Sequence, residues 1–343
     1  MNRTPVVLAC ALALTACGSA PEQPRGGGTA TVTNCGTAGE FPAPAQRLFV
    51  NDGNMIAMVL ALGAQDRVAA VSSLQRDTAT LRAHYGPAVD ALNQVAPQYP
   101  SKETIIAQRP DVVVAGWNYG YSEEKGLTPD SLRAQGIAPY ILTESCRQQD
   151  GQRARGIVDP WQALREDLTN LGTITGRAPQ AADVRTDLDT RLAALRAAPQ
   201  APTPPTVFLF DSASDTVFSS GRFGAPQAIL DAAGARNALA DLDDTWTAVS
   251  WERVAAADPA AFLFVDYPPQ TFQQKIDLLT ARPGIADLPA VKQRRFLNLP
   301  YALWTSSPLN IDAAEQVRSA LEEWGLVPVS GLKPRADDEV AAG

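Results

Sequence analysis

Histidine is nearly absent from the chain: His84 is the only one among 343 residues. One imidazole cannot furnish the His-rich donor sets of zinc, copper or manganese sites, so no resident metal is expected. His84 itself, between Ala83 and Tyr85 and just before Gly86-Pro87, reads as a surface or helix-end residue. Beyond the N-terminal segment there is no apolar run close to the roughly 20 residues that a membrane-spanning helix requires, so the mature chain is not expected to cross a bilayer. Basic residues are outnumbered, 29 Lys and Arg against 37 Asp and Glu, for a formal net charge of −8. Without clustered cations the balance excludes a nucleic-acid partner. Also missing are a Gly-x-Ser-x-Gly elbow, a phosphate-binding glycine loop and a Gly-x-Gly-x-x-Gly fingerprint. Ser219-Ser220-Gly221 is an ordinary loop signature. The expectation is a protein that is not an enzyme and carries no cofactor.

Cysteine is scarce, and the four present are informative. Arg3 opens a short positive region, Val6 to Leu14 is an apolar stretch too short to span, and Leu14-Thr15-Ala16-Cys17 has the small-residue cleavage pattern ending in Cys. This is a lipobox. It predicts a lipoprotein signal peptide over residues 1–16 and a lipid on the Cys17 thiol, two or three acyl chains giving a lasting anchor. The plain alternative is a secretory peptide in which Cys17 is incidental; Cys10 is a weaker second candidate. Residues 17–44 read as a lipid-anchored flexible tether and lead-in, rich in Gly, Pro, Thr and Ala to about Thr33. With Cys10 in the signal segment and Cys17 lipidated, Cys35 and Cys146 remain, and two thiols outside the cytoplasm are expected to pair. A metal or redox pair is the alternative, with no further Cys to complete it.

The body contains a repeat. Ser101-Lys102-Glu103 precedes a short amphipathic stretch, Pro110, and the strand-like Val112 to Ala115; Ser250-Trp251-Glu252 precedes a similar stretch, Pro259, and Phe262 to Val265. Each copy has an N-cap Ser, a short helix and a Pro that ends it before a strand. Upstream, Leu48 to Val50, a helix from Asn54 to Leu62 and a strand from Val68 to Val71 match Val207 to Phe210, a helix from Ala225 to Ala233 and Asn237 to Leu239. Downstream, Tyr140 to Leu142 and Phe296 to Leu299 supply a later strand in each half. The halves therefore read as two copies of one α/β unit: Rossmann-like lobes with parallel-rich sheets and ligand loops at the strand C-terminal ends.

The N-terminal lobe is assigned to residues 45–158 and the C-terminal lobe to 199–330. Between them, 159–198 shows helical periodicity without strand signals and is expected to form one long rigid helix, a stiff hinge that allows little closure. Residues 331–343 read as a disordered tail. The cleft between lobes is the expected ligand site. Loops at strand ends supply its candidates. In the first lobe these are Asn51, Asp52, Trp117, Asn118, Tyr119, Tyr121, Glu144, Ser145 and Arg147. In the second they are Asp211, Ser212, Phe218 to Phe223 around Arg222, Trp246, Tyr267, Tyr301 and Trp304. Aromatic faces bury large flat ligands at low entropy cost, and Arg offers planar contacts to carboxylate, catecholate or phosphate. For each aromatic, core packing is the competing reading.

The Arg47-to-Val71 opening (RLFVNDGNMIAMVLALGAQDRVAAV), the two Ser-x-Glu copies, Leu171-Gly172 to Gly176-Arg177, and Leu288-Pro289-Ala290-Val291-Lys292 to Phe296 together resemble one family. It is the helical-backbone, class III, periplasmic solute-binding proteins of iron-siderophore and cobalamin ABC importers, and the resemblance runs from about Ala45 to Leu326. It implies a monomer that delivers a bulky small molecule to an ABC permease dimer with its ATPase subunits. It also implies that Glu103 and Glu252, one on each lobe, dock onto Arg residues of the two permease subunits; the alternative is that each Glu merely caps its own helix. The ligand expected from the resemblance is a ferric siderophore. A corrinoid such as cobalamin or another cofactor precursor comes second, and a non-transport surface lipoprotein is the remote alternative.

Overall fold

Thr29-Ala30-Thr31-Val32-Thr33 is small and β-branched, and Cys35-Gly36, with φ of 49° and 73°, can form the two-residue turn that matches strand twist. The computed structural model, which describes residues 28–149 and 151–335, accordingly opens with an antiparallel hairpin of β1 (Gly28–Asn34) and β2 (Thr37–Ala43). This corrects the reading of 17–44 as flexible lead-in: from Gly28 onward the segment is ordered, and Val32 and Phe41 are buried in the main core. The signal segment and Cys17 lie outside the described residues.

The N-terminal lobe follows as β3 (Leu48–Asn51), α1 (Gly53–Ala61), β4 (Val68–Ser72), α2 (Thr78–Tyr85), β5 (Gln94–Ala96), α3 (Lys102–Ala107), β6 (Val112–Trp117), β7 (Gly120–Tyr121), α4 (Pro129–Arg133) and β8 (Ala138–Ile141). Strands such as Val112-Val113-Val114 are apolar on both faces, as expected for parallel strands covered by helices on either side. They pair in the order β5-β4-β3-β6-β8, all parallel, with the short β7 beside the end of β6.

The connection comprises two helices rather than one, α5 (Pro160–Thr175) and α6 (Ala178–Ala197). Gly176, at φ 72°, ends the first. The pair folds back antiparallel, with Arg165 on Asp189 (2.5 Å) and Arg185 on Thr169 (3.0 Å). At Gly172 a Cβ would lie 2.6 Å from that of Ala181, so glycine is what lets the two helices approach. The spine between lobes is therefore α5 alone. Its start bonds the C-terminal lobe, Trp161 Nε1 donating to the Ala228 carbonyl (3.1 Å), and its middle bonds the N-terminal lobe through Asp167.

The C-terminal lobe comprises β9 (Thr206–Phe210), β10 (Ser212–Ala213), β11 (Val217–Ser220), α7 (Ala225–Ala233), β12 (Arg236–Asn237), β13 (Trp246–Val249), α8 (Trp251–Ala256), β14 (Ala261–Asp266), α9 (Phe272–Ala281), α10 (Pro289–Lys292), β15 (Phe296–Pro300), α11 (Tyr301–Trp304) and α12 (Asn310–Glu323). Its parallel sheet runs β12-β9-β14-β15, the same wiring as β4-β3-β6-β8. The duplication read in the sequence is thus a duplication of topology. What differs is β13, which joins β10 and β11 in a small antiparallel sheet instead of extending the parallel one.

Two smaller corrections concern the tail and the histidine. Residues 331–335 are fastened: Leu332 packs on the core, and Arg335 donates its N–H to Glu315 (3.1 Å) and pairs with Asp187 (2.8 Å). The remainder of the tail lies outside the described residues. His84 does end α2, but it is buried, 3.7 Å from Asp312 of α12, because the two lobes meet there.

Candidate functional site

Both parallel sheets aim their strand C-terminal ends at the gap between lobes, and ten side chains enclose a cavity of about 260 Å³ there. Arg76, Tyr99, Asn118 and Tyr119 come from the N-terminal lobe, Asp211, Phe218, Trp246, Tyr267 and Tyr301 from the C-terminal lobe, and Arg155 from the segment that joins them. Behind this lining is a layer of fixed polar groups. Asn51 donates to the Tyr119 carbonyl (2.6 Å) and accepts from Ser72 (2.7 Å); Gly120, at φ 115°, leaves room for that amide where a Cβ would sit 2.9 Å away. Asp52 caps α1 through Gly53 (2.9 Å), accepts from the Tyr99 hydroxyl (2.8 Å) and pairs with Arg76. On the opposite wall the Tyr267 hydroxyl donates to Asp211 (2.8 Å), and the ring stacks edge-on with Tyr301 at 5.2 Å.

The lobes are pinned around this cavity. The Arg76 guanidinium lies 3.7 Å from the centre of the Tyr301 ring. Ser306 is held from both sides, its N–H by Glu144 (3.2 Å) and its carbonyl by Asn54 (3.2 Å). Arg155 donates to the Trp246 carbonyl (2.7 Å), and Gln148 to that of Asp243 (2.9 Å). Burial pushes the Tyr99, Tyr119 and Tyr301 hydroxyls up, so they remain neutral donors at any physiological pH. Burial likewise raises Glu144 and Asp77 to about 7, opposed by the nearby Arg155 and Arg76 respectively.

Of the residues singled out in the sequence, Asn118, Tyr119, Asp211, Phe218, Trp246, Tyr267 and Tyr301 line the cavity, while Asn51 and Asp52 support it from behind. The aromatic run after β6 divides. Tyr119 faces the cleft, but Tyr121 is fully buried, its hydroxyl donating to the Val113 (3.3 Å) and Tyr140 (3.2 Å) carbonyls. Trp117 packs against Tyr121 and under Arg147, whose guanidinium is 3.6 Å from its ring centre. A tight turn explains the split: Asn118 (φ 64°) and Gly120 (φ 115°) bring Tyr121 into register beside Trp117 and leave Tyr119 in the turn between the strands. Arg147 spends its charge on Glu123 (2.7 Å). Ser145 accepts from the Trp117 N–H (3.0 Å), and Ser212 donates to Asp211 (2.8 Å). Trp304 is a core residue that donates to the Phe264 carbonyl (3.1 Å).

Arg222 and Phe223 also fall outside the lining. Arg222 is exposed and paired with Asp243 (2.6 Å), and Phe223 packs over Gly156, where a Cβ would lie 2.1 Å from its own. The cations of the cleft are instead Arg76 and Arg155, and with Tyr99 they are the lining residues that the sequence reading missed. Arg76 follows β4 and Tyr99 follows β5, so the rule that ligand loops succeed strands reaches both. Arg155 succeeds no parallel strand, and nothing local marks it.

Two lobes of duplicated α/β topology, a helical spine and a cleft ringed by aromatic and guanidinium groups define a solute-binding architecture. The profile described as periplasmic binding protein matches residues 51–303, and the chain belongs to that family. Among curated proteins none matches the sequence. The fold is similar to a periplasmic binding protein from Veillonella parvula DSM 2008 (24% identity, 89% of this chain and 98% of that one, TM-score 0.71). It is similar also to an ABC-type Fe3+-hydroxamate transport system structure from Saccharomonospora viridis DSM 43017 (23%, 85% and 98%, 0.69). The vitamin B12 binding protein BtuF of Vibrio cholerae is a third such structure (21%, 82% and 98%, 0.61).

Proposed function

We propose that the chain is the extracytoplasmic capture subunit of an ABC importer, anchored by lipid at Cys17, and that it takes up a ferric siderophore in the inter-lobe cleft. The observation that carries this reading is the cleft wall: six aromatic side chains interleaved with two guanidinium groups, drawn from both lobes and the joining segment. Such a surface grips a metal chelate by ring faces and by charge-assisted hydrogen bonds. An Fe3+-hydroxamate transport structure and a vitamin B12 binding protein share this fold. The cavity, of about 260 Å³, sits just below the roughly 300–1,000 Å³ usual for small-molecule pockets.

Delivery follows from Glu103 and Glu252. Both are exposed in the first turn of equivalent helices, α3 and α8, capped by Ser101 (3.2 Å) and Ser250 (3.3 Å). For Glu103 its own backbone N–H, and for Glu252 the Ser250 hydroxyl, holds the carboxyl below the ordinary range, so both are charged at neutral pH. Two fixed carboxylates, one per lobe, suit a two-subunit permease surface that carries cations.

Titration calorimetry of the purified protein against ferric hydroxamate, catecholate and carboxylate chelates and cobalamin tests the reading. A ferric chelate is expected to bind tightest. Preference for cobalamin would replace the siderophore by a corrinoid, and binding of none would leave a surface lipoprotein without transport. Cys17→Ser protein that stays in the membrane fraction would overturn the anchor.

A further inference from the structure

The two guanidinium groups of the cleft are not equally satisfied in their hydrogen bonds. Arg76 faces two carboxylates, Asp52 and Asp77, and lies on the Tyr301 ring. Arg155 lines the same cavity with a side chain only 6% exposed, and its nearest carboxylate among the described residues, Asp244, stands 3.6 Å from Nε, beyond hydrogen-bond distance. That Asp244 oxygen already accepts the backbone N–H groups of Arg155 (3.1 Å) and Thr245 (2.7 Å). Glu144 is the other carboxyl near Arg155 among the described residues, and one of its oxygens holds the Ser306 N–H. Among the described residues Arg155 Nε has no acceptor, and neither has the indole Nε1 of Trp246, the residue whose carbonyl Arg155 grips. Both residues line the cavity, and both atoms are buried. Two neighbouring buried donors without acceptors are costly, and an anionic oxygen would relieve both.

We propose that Arg155, together with the Trp246 indole N–H, recognises an anionic oxygen of the captured ligand, and that the cleft thereby selects negatively charged chelates. This rests on the reading of the cleft as a chelate-capture site. The loop that carries Arg155 is built to hold it: Gly156 N–H donates to the Cys146 carbonyl (2.8 Å), and Gln148 N–H to that of Ala154 (3.0 Å), closing the loop at its base. Cys146 is in turn tied to Cys35 by a disulfide.

The test is calorimetry on the full mature chain with iron(III) tris-catecholate and iron(III) citrate as anionic probes and ferrioxamine B as a cationic one. The parent protein is expected to prefer an anionic probe, Arg155→Gln to lose roughly 10- to 150-fold in affinity for it, and Trp246→Phe to lose less. Arg155→Lys keeps the charge and is expected to recover most of the loss, with melting temperatures confirming that each variant folds. If ferrioxamine B binds best and Arg155→Gln leaves it unchanged, the anion inference is overturned while capture stands. If no chelate binds the parent protein, both fall. Equal losses in Arg155→Gln and Arg155→Lys, spread over anionic and cationic probes alike, would make Arg155 a brace between lobes and also overturn the proposal.

Discussion

Asp167 shows what a single buried carboxyl does to this fold. It sits fully buried on α5 and accepts from the Tyr140 hydroxyl (2.7 Å), the Thr143 N–H (3.1 Å) and the Thr143 hydroxyl (2.6 Å). Burial nevertheless raises it to about 7, those hydrogen bonds pulling the other way. The unfolded chain would release the same proton at about 3.9. Between these values the folded state holds a proton that the unfolded state lacks, so stability falls as pH rises from about 4 to about 7, by at most about 1.4 kcal/mol per pH unit for this group. Above 7 its contribution is constant. Asp167→Asn, which keeps the shape without the titration, is expected to reduce this slope in denaturation midpoints measured across that range. Glu144 and Asp77 shift in the same direction and leave part of the slope in place. An unchanged slope in the variant would mean that Asp167 titrates as an ordinary carboxyl.

At the scale of elements, the N-terminal hairpin is an added strap on the N-terminal lobe. Asn34 mimics one more strand rung against the edge strand β8, accepting from the Ile141 N–H (2.8 Å) and donating to its carbonyl (2.7 Å). The Cys35–Cys146 disulfide secures the hairpin turn across a sequence separation of 111 residues. Loop-closure entropy for that length allows about 4 to 5 kcal/mol at most. Cys35→Ser with Cys146→Ser is therefore expected to lower the melting temperature clearly, and to match the reduced parent protein; equal melting of oxidised and double-variant protein would show that the hairpin needs no staple. The capped helices α3 and α8 make a second element-scale prediction. Glu103→Ala with Glu252→Ala is expected to abolish uptake in cells while leaving ligand affinity nearly unchanged, because both carboxylates lie outside the cleft lining. A parallel loss of affinity in calorimetry would count against docking.

For the molecule as a whole, the pins between lobes argue against a wide hinge motion. Helix α5 bonds both lobes, Ser306 is gripped from two sides by N-terminal-lobe side chains, and Arg76 packs on Tyr301 across the gap. Opening would expose Glu144, Asn54 and Tyr301 together, and each of these contacts opposes it. We expect solution scattering to give nearly the same radius of gyration with and without a bound chelate, with changes confined to side chains around the cavity. A compaction of the kind produced by domain closure would overturn this.

The duplicated α/β plan was legible in the sequence because its signals are local: an N-cap Ser, a helix-stopping Pro, and apolar runs of strand length bounded by turns. The Cys35 and Cys146 pairing followed from elimination among four cysteines. Helix count in the connection was misjudged because a left-handed Gly176 followed by a new start at Ala178 leaves the apolar periodicity almost intact on either side. The site was legible only in part. Loops after strands are predictable, but which of Trp117, Tyr119 and Tyr121 faces the cleft depends on the turn that joins β6 to β7. Whether a cation is already neutralised depends on partners far along the chain, as with Arg222 on Asp243 and Arg147 on Glu123, whereas among the described residues the Arg155 side chain grips only the uncharged carbonyl of Trp246 by hydrogen bond. Local propensity and periodicity act over a few residues and so belong to the sequence itself. Charge pairing and burial act through space, and only the packed tertiary structure decides them.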